Sequence, residues 1–114
     1  IISQQNPSII SGIKDEKLEI IDENAIIAVF AQDGKVYADT KNGIYELKLR
    51  LYELENILDK TRFVRISKSE IINLKAVKNF DLSFTGTISV EMKNAKISYV
   101  SRRFVSKIKK ILGV

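Results

Sequence analysis

The chemically distinctive side chains of this sequence are cations near its C-terminus. Arg103, Lys107 and Lys110 follow i, i+4, i+7 spacing, so a helix over this stretch would place them on one face. Arg102 and Lys109 would share a second face at i, i+7. Five cations within nine residues, with no acidic residue among them, indicate a surface that binds phosphate groups. A solvated helix face is the alternative, but ordinary surface helices mix the two signs of charge.

Charge is distributed unevenly along the 114 residues. Residues 1–59 hold 6 basic and 11 acidic side chains, a net charge of −5, whereas residues 60–114 hold 13 basic and 3 acidic ones, a net charge of +10. Solubility needs only a modest net charge with both signs interspersed. An asymmetry of this size within one domain is instead the footprint of a polyanion, so we expect the second half of the chain to form the binding face.

The composition gives little support for catalysis or metal binding. The chain has neither His nor Cys, so the usual proton shuttle, the best nucleophile and any disulfide are missing. The carboxylates lack the spacing of a calcium loop, and the five glycines stand singly rather than in a phosphate-binding loop. We therefore expect neither an enzyme nor a cofactor. The lack of Cys and of any long apolar run predicts a soluble, cytoplasmic protein.

A second candidate site is the polar turn Ser67-Lys68-Ser69, in which two hydroxyls flank an ammonium. The β-branched and apolar residues on either side predict two short strands, Phe63–Ile66 and Glu70–Leu74, which would hold this turn at the surface. Judged from the residues alone, a simple polar turn without a binding role is the plainer interpretation.

The rest of the chain predicts about ten short strands and two helices. Asp33-Gly34 and Asn42-Gly43 are turn signals that join three strands into a meander, and Lys93-Asn94 suits a two-residue turn. Strands are predicted at Lys17–Ile21, Ala25–Phe30, Lys35–Thr40, Ile44–Leu47, Thr87–Met92 and Ala95–Val100.

Leucine spacing predicts the internal helix, and a longer apolar stripe predicts the C-terminal one. The internal stripe recurs at i, i+4, i+7 and i+11 and should pack across the sheet; it consists of Leu47, Leu51, Leu54 and Leu58. In the last helix, Ser101 is the expected N-cap, with its hydroxyl accepting a backbone N–H, and Gly113 the expected terminator. Its apolar stripe consists of Phe104, Val105, Ile108, Ile111 and Leu112.

Both candidate sites resemble signatures of one family, the LytTR (LytR/AgrA-type) DNA-binding domain. Arg65–Ser69 followed by Ile71–Leu74 resembles the first signature, and Val100–Phe104 resembles the second, which opens the family's last helix. The resemblance covers about residues 17–112. It implies a mainly β fold of short antiparallel sheets with one packed helix and a C-terminal helix, and it implies double-stranded DNA as the partner in transcription regulation.

The resemblance also assigns residues. It implies that three segments enter successive major grooves on one face of the duplex. They map to Ser67, Lys68 and Ser69 in the first signature, to Ser101, Arg102 and Arg103 at the start of the last helix, and to an early loop in which Lys35 is the obvious donor; Lys107 would hold phosphate. The family's usual His is Ser67 here, and Lys68 replaces the usual Arg or Asn, so this turn lacks a planar bidentate donor. Asn73 also matches the family, but we expect it to bond its own backbone.

The resemblance finally predicts how the chain is organised and regulated. Residues 1–16 show no periodic pattern and are predicted to be an N-terminal arm or linker end, with the DNA-binding domain at residues 17–114. The family's paired direct repeats imply two copies per site, hence a homodimer on DNA. The short N-terminal tail is similar to that of stand-alone members, some of which are controlled by a membrane protein, whereas other members carry an upstream regulatory domain. One of these two is the expected controlling partner.

Two other functions fit the basic half. One is an RNA-binding or ribosome-associated basic β module, although the strands lack the paired aromatic residues on which single-stranded RNA stacks. The other is an interaction module whose basic face binds an acidic protein.

Overall fold

Ten β-strands and two α-helices make up most of residues 9–114, the part of the chain that the computed structural model describes. The strands are β1 (Ser11–Lys14), β2 (Lys17–Ile20), β3 (Ile26–Gln32), β4 (Lys35–Thr40), β5 (Gly43–Leu47), β6 (Phe63–Ser67), β7 (Glu70–Asn73), β8 (Val77–Asp81), β9 (Ile88–Met92) and β10 (Ile97–Val100). The helices are α1 (Leu51–Ile57) and α2 (Arg102–Leu112). This composition confirms the predicted mainly β fold with one internal and one C-terminal helix.

All strand pairs are antiparallel and form two sheets. The larger has the order β2-β1-β5-β4-β3-β7-β6, and the smaller has the order β10-β9-β8. The predicted meander is confirmed as β3-β4-β5. Its first turn consists of Asp33 and Gly34, whose φ angles of 53° and 79° give the left-handed two-residue turn that matches the twist of the flanking strands.

Strands β3 and β7 are covered on both faces. Successive side chains of a strand point to opposite sides of the sheet, so neighbouring residues of these strands lie in different cores. Val29 and Ile71 belong to one hydrophobic core, and their neighbours Ala28 and Ile72 belong to the other. Helix α1 packs in the first core, while the small sheet and α2 pack in the second. This arrangement explains the nearly continuous apolar run in β3.

The internal helix is shorter than its leucine stripe predicts. All four leucines are buried, but Leu47 lies in β5 and Leu58 follows the helix. The backbone N–H of Arg50 donates to Glu53 Oε1 at 2.9 Å, which stabilises a helix start at Leu51. The predicted burial was therefore correct and the predicted helix start was wrong.

The folded sheet begins before the predicted domain boundary at residue 17. Residues 1–8 of the predicted arm lie outside the described residues, but Ile10 is buried and Ser11–Lys14 form β1. Gly12 allows β1 to lie close to the core, because an added Cβ would come within 2.7 Å of Tyr45 Cβ. A four-residue strand containing glycine gives no clear alternating pattern, so the sequence did not reveal it.

Three segments lie together at one end of the large sheet, which we call the Lys68 end. These segments are Gln32–Lys35, Ser67–Ser69 and Ser101–Arg103. The Ala31 N–H donates to the Ser69 carbonyl at 2.8 Å, which joins the first two segments. The Ser101 N–H donates to the Ile66 carbonyl at 2.9 Å, which attaches the third.

The opposite end, which we call the Lys93 end, is closed by the turn between β9 and β10. The Lys93 N–H donates to the Ala76 carbonyl at 2.8 Å, and Asn73 Nδ2 donates to the Ile26 carbonyl at 2.9 Å. The predicted two-residue turn is wrong, because the observed turn also contains Ala95. The positive φ of Ala95, 73°, lets the Met92 N–H donate to the Lys96 carbonyl at 2.8 Å. The seven residues of β3 separate the two ends by about 20 Å.

Candidate nucleic-acid interface

The turn Ser67–Ser69 is held from beneath by the side chain of Arg65. Arg65 Nε donates to the Ser67 carbonyl at 2.7 Å, and Nη2 donates to the Lys68 carbonyl at 2.6 Å. Nη1 donates to Glu55 Oε1 of α1 at 2.9 Å. With 15% of its side chain exposed, Arg65 uses a planar fork of donors that Lys does not have. Arg65 therefore fixes the turn backbone and leaves its side chains facing outward.

Within this turn the three predicted site residues differ in how far their polar groups are already bonded within the protein. Lys68 is exposed and forms no ion pair among residues 9–114. The Ser69 N–H donates to Ser67 Oγ at 3.2 Å, and the two hydroxyl oxygens lie 3.4 Å apart. The serine hydroxyls are thus partly engaged with each other, while the ammonium of Lys68 is available to a ligand.

The start of α2 carries three more predicted residues. Ser101 occupies the N-cap position, but its hydroxyl makes no capping hydrogen bond and instead lies 3.5 Å from the Ile66 carbonyl. The expected hydroxyl cap is therefore wrong, because Ser101 serves to attach the helix start to β6. Arg102 and Arg103 are exposed, and the Arg103 guanidinium lies 5.1 Å from the Phe104 ring. The uncapped N–H groups of the first turn add a partial positive charge beside both arginines.

Burial along α2 follows the predicted stripe in part. Ile108 is 1% exposed and is the buried residue of the helix, whereas Ile111 is 45% exposed. Phe104, Val105 and Leu112 pack at the margin of the second core. Lys107 is exposed one turn after Arg103, which is consistent with its predicted place on the same face.

Lys35 lies at the Lys68 end but is not free. Its Nζ is 3.9 Å from Glu46 Oε1, and the other oxygen of Glu46 is 3.7 Å from Lys48 Nζ. More than half of the Lys35 side chain is exposed, and exposed ion pairs of this kind contribute little free energy. A phosphate can therefore compete with Glu46 for Lys35 at low cost.

The basic residues of the second half do not all lie on one face. Lys68, Arg102 and Arg103 lie at the Lys68 end, whereas Lys75 and Lys93 lie at the Lys93 end. The expectation of a single binding face over residues 60–114 is therefore too simple. Counting charge along the chain cannot detect this division, since strand direction reverses at every hairpin.

The contacts of Arg65 and Glu55 that support the turn were not predicted from the sequence, whereas the structural role of Asn73 was. Arg65 stands between buried Val64 and Ile66, so it points to the α1 side of β6. An arginine at such a position needs a partner, and that signal could have been used. Asn73 is buried and structural, since its Nδ2 donates to the Ile26 carbonyl while its Oδ1 accepts the Lys75 N–H at 2.9 Å.

Residues 9–114 contain neither a membrane-spanning helix nor an acidic metal-binding cluster. No helix there has the length and apolar character to cross a bilayer. No group of three or more Asp or Glu side chains is placed to hold a metal ion.

The family is shown by a family model that matches nearly the whole chain, and similar regulators are known from Staphylococcus aureus. The model of the LytTr DNA-binding domain matches residues 16–113. The "Uncharacterized HTH-type transcriptional regulator SAR2449" of Staphylococcus aureus (strain MRSA252) is 40% identical over 103 residues, which cover 90% of this chain and 69% of that protein. The similarly named SAOUHSC_02645 of Staphylococcus aureus (strain NCTC 8325 / PS 47) is 39% identical over the same coverage.

A solved structure supports the fold. The "LytTr DNA-binding domain of putative methyl-accepting/DNA response regulator from Bacillus cereus" superposes with a TM-score of 0.88 over 94% of this chain and 99% of that one, at 23% identity. Although the relatives are named HTH-type, α1 and α2 of this chain are separated by five strands, so residues 9–114 contain no helix-turn-helix. By its family match, its relatives and its fold, the chain belongs to the LytTr DNA-binding domain family and binds DNA in transcription regulation.

Proposed function

We propose that the domain binds duplex DNA sequence-selectively through its Lys68 end, with Gln32–Lys35, Ser67–Ser69 and Ser101–Arg103 entering the major groove. The observation that carries the proposal is the convergence of these three separate segments at one end of the sheet, where two backbone hydrogen bonds join them. Exposed cations project from each segment. A set of turns held by strands can contact base edges without the entropy cost of ordering a free loop.

The exposed cations would divide into base and phosphate contacts. Arg103 offers a planar donor fork at a helix start, which suits the O6 and N7 acceptors of guanine. Lys68, Lys107 and Lys35 are point charges that suit phosphate or a single base acceptor. Ser67, Ser69, Ser101 and Arg102 would complete the contact surface with hydroxyl donors and one further guanidinium.

The mode of action follows from the size of one domain. A single small module buries about 600–1,000 Å² on DNA, which limits its affinity, so two copies on paired direct repeats would add their binding free energies. The proposal includes a homodimer on DNA and control by a regulatory membrane protein or an upstream regulatory domain. It places the protein in the cytoplasm, where it acts by binding rather than by catalysis.

Selection of bound sequences from a random duplex pool tests this function. We expect enrichment of a defined motif, and we expect the enriched duplex to outcompete a scrambled duplex, RNA and heparin at one salt concentration. An unenriched pool, or equal competition by RNA or heparin, would assign the basic surface to RNA or to an acidic protein instead.

A further inference from the structure

A cleft of about 590 Å³ opens at the Lys93 end of the molecule, away from the proposed DNA contacts. Ile26, Ile27 and Ala76 give it an apolar lining, and three lysines from different parts of the chain also line it: Lys41, Lys75 and Lys93. A volume of this size is in the range of small-molecule sites, which typically combine apolar walls with a few polar groups.

The backbones of the three lysines are fixed. The Lys41 N–H donates to the Ala25 carbonyl at 3.0 Å, and the Lys93 N–H donates to the Ala76 carbonyl at 2.8 Å. The Lys75 N–H donates to Asn73 Oδ1 at 2.9 Å, and Asn73 is itself buried. Three separate segments therefore hold the backbones of these lysines around one space before a ligand arrives.

Charge at the cleft is not balanced by the protein. None of the three lysines lies within 4.0 Å of a carboxylate among residues 9–114. Arg62, the fourth cation in the lining, differs because Glu23 and Asp59 both pair with it. The amide of Asn94 is also occupied, since Nδ2 donates to Asp39 and Oδ1 accepts the Lys96 N–H. The three ammonium groups remain as the free charge of the cleft.

We propose that this cleft binds a small organic anion carrying at least two negative charges, on phosphate or carboxylate groups, between Lys41, Lys75 and Lys93. A compact polyanion would pair with these unpaired ammonium groups, and its carbon skeleton would cover the apolar lining. Because β3 separates the two ends by about 20 Å, this ligand does not compete with DNA for the same surface. The site is independent of the proposed DNA contacts.

The site can be tested by titrating the isotopically labelled protein with pyrophosphate and, separately, with citrate at constant ionic strength. Amide chemical shifts report the binding. Shifts should saturate at one site and fall on Lys41, Lys75, Lys93 and Asn94 rather than on Ser67–Ser69 or Arg103. Tighter binding of pyrophosphate would assign phosphate as the recognised group, and tighter binding of citrate would assign carboxylate. Shifts centred on the Lys68 end, or no saturation by about 10 mM of either anion, would overturn the proposal.

A charge-matched pair of variants separates a built site from general attraction to a basic protein. Lys41→Ala/Lys75→Ala/Lys93→Ala should weaken binding by at least about tenfold. The control Lys17→Ala/Lys48→Ala/Lys78→Ala removes the same charge from exposed positions outside the cleft and should change binding less than about twofold. Equal weakening by both variants would show diffuse attraction and contradict the site. Circular dichroism should show both variants folded.

Discussion

Arg65 and Glu55 join helix α1 to the turn that faces DNA in our proposal: Arg65 Nη1 donates to Glu55 Oε1 at 2.9 Å while the rest of the guanidinium holds the carbonyls of Ser67 and Lys68. Helix α1 thus affects the turn without lying at the Lys68 end. A residue that contacts no base can in this way determine where the base-contacting side chains point.

Arg65→Lys should reduce the specificity of DNA binding. It keeps the charge but loses the planar fork, so the Ser67 and Lys68 carbonyls lose their fixed donor and the turn becomes mobile. We expect the difference in binding free energy between cognate and random duplex to shrink by about 1–2 kcal/mol in duplex titrations.

Arg62→Lys is a matched control, because Arg62 has a similarly covered side chain and pairs with Glu23 and Asp59 near the Lys93 end. It should lower the melting temperature about as much as Arg65→Lys while leaving the specificity ratio unchanged. If the two variants change the ratio equally, Arg65 has no special role in positioning the turn.

Lys107→Ala should weaken binding to all duplex sequences alike and reduce its salt dependence. Each neutralised phosphate contributes about 0.9 to the slope of log affinity against log salt, so one lost contact should lower the slope by about that amount. Lys17→Ala, in the exposed edge strand β2, removes the same charge and should leave the slope unchanged. Identical slopes for the two variants would contradict the placement of Lys107 against phosphate.

Ile108→Ala should destabilise the fold by about 2–5 kcal/mol, because the side chain is 1% exposed and its loss leaves a cavity in the second core. Ile111→Ala removes the same atoms from a position that is 45% exposed and should cost about 1 kcal/mol or less. Denaturant unfolding measures both values. Similar losses for the two variants would mean that α2 does not pack through Ile108.

Glu70→Gln should raise thermal stability at neutral pH. The pKa of Glu70 is raised, chiefly by burial and also by the nearby Asp39 carboxylate, although the Ser98 hydroxyl and Lys96 act in the opposite direction. A carboxyl with a raised folded-state pKa binds more protons when folded, so its contribution to stability is lost as pH rises through that pKa. The neutral amide avoids this loss and can still accept from Ser98, which lies 2.8 Å from Glu70 Oε2.

The gain from Glu70→Gln should therefore be largest at pH 7 and should shrink as the pH falls toward about 4, where the carboxyl of the parent is protonated as well. Melting curves across this range measure it. Glu16→Gln, in an exposed turn, should show no such trend. A gain for Glu70→Gln that does not vary with pH would point to packing rather than to ionisation.

Local patterns predicted the elements of this fold better than their boundaries. The turn at Asp33-Gly34 and the strand Lys35–Thr40 that follows it were predicted with the correct boundaries, because a turn signal depends on neighbouring residues. The end of β5 at Leu47 was predicted correctly, but the start of α1 was placed too early, since the same leucine spacing fits a buried strand followed by a helix. Strand β1 was missed because only glycine fits at position 12, where Tyr45 lies close to the backbone. A contact with a residue so distant in sequence leaves no local pattern.

For the site, the signatures pointed to the turn at Lys68 and the helix start at Arg103, which the structure brings to one end. The contacts that support them were not predictable from spacing. The bond from Arg65 to Glu55 and the bond from Ser101 to the Ile66 carbonyl join residues on different elements, and both appear only when the chain is folded.

In our proposal the Lys68 end contacts bases through Arg103 and phosphates through Lys68, and a comparison of Arg103→Ala with Lys68→Ala tests this division. Both variants would be titrated at one salt concentration against the selected duplex and a scrambled one, after circular dichroism has shown them folded. Arg103→Ala should cost roughly 1–3 kcal/mol on the selected duplex and much less on the scrambled one, while Lys68→Ala should weaken both about evenly. An unchanged selected-to-scrambled ratio for Arg103→Ala would contradict the claim and leave Arg103 as one more phosphate contact.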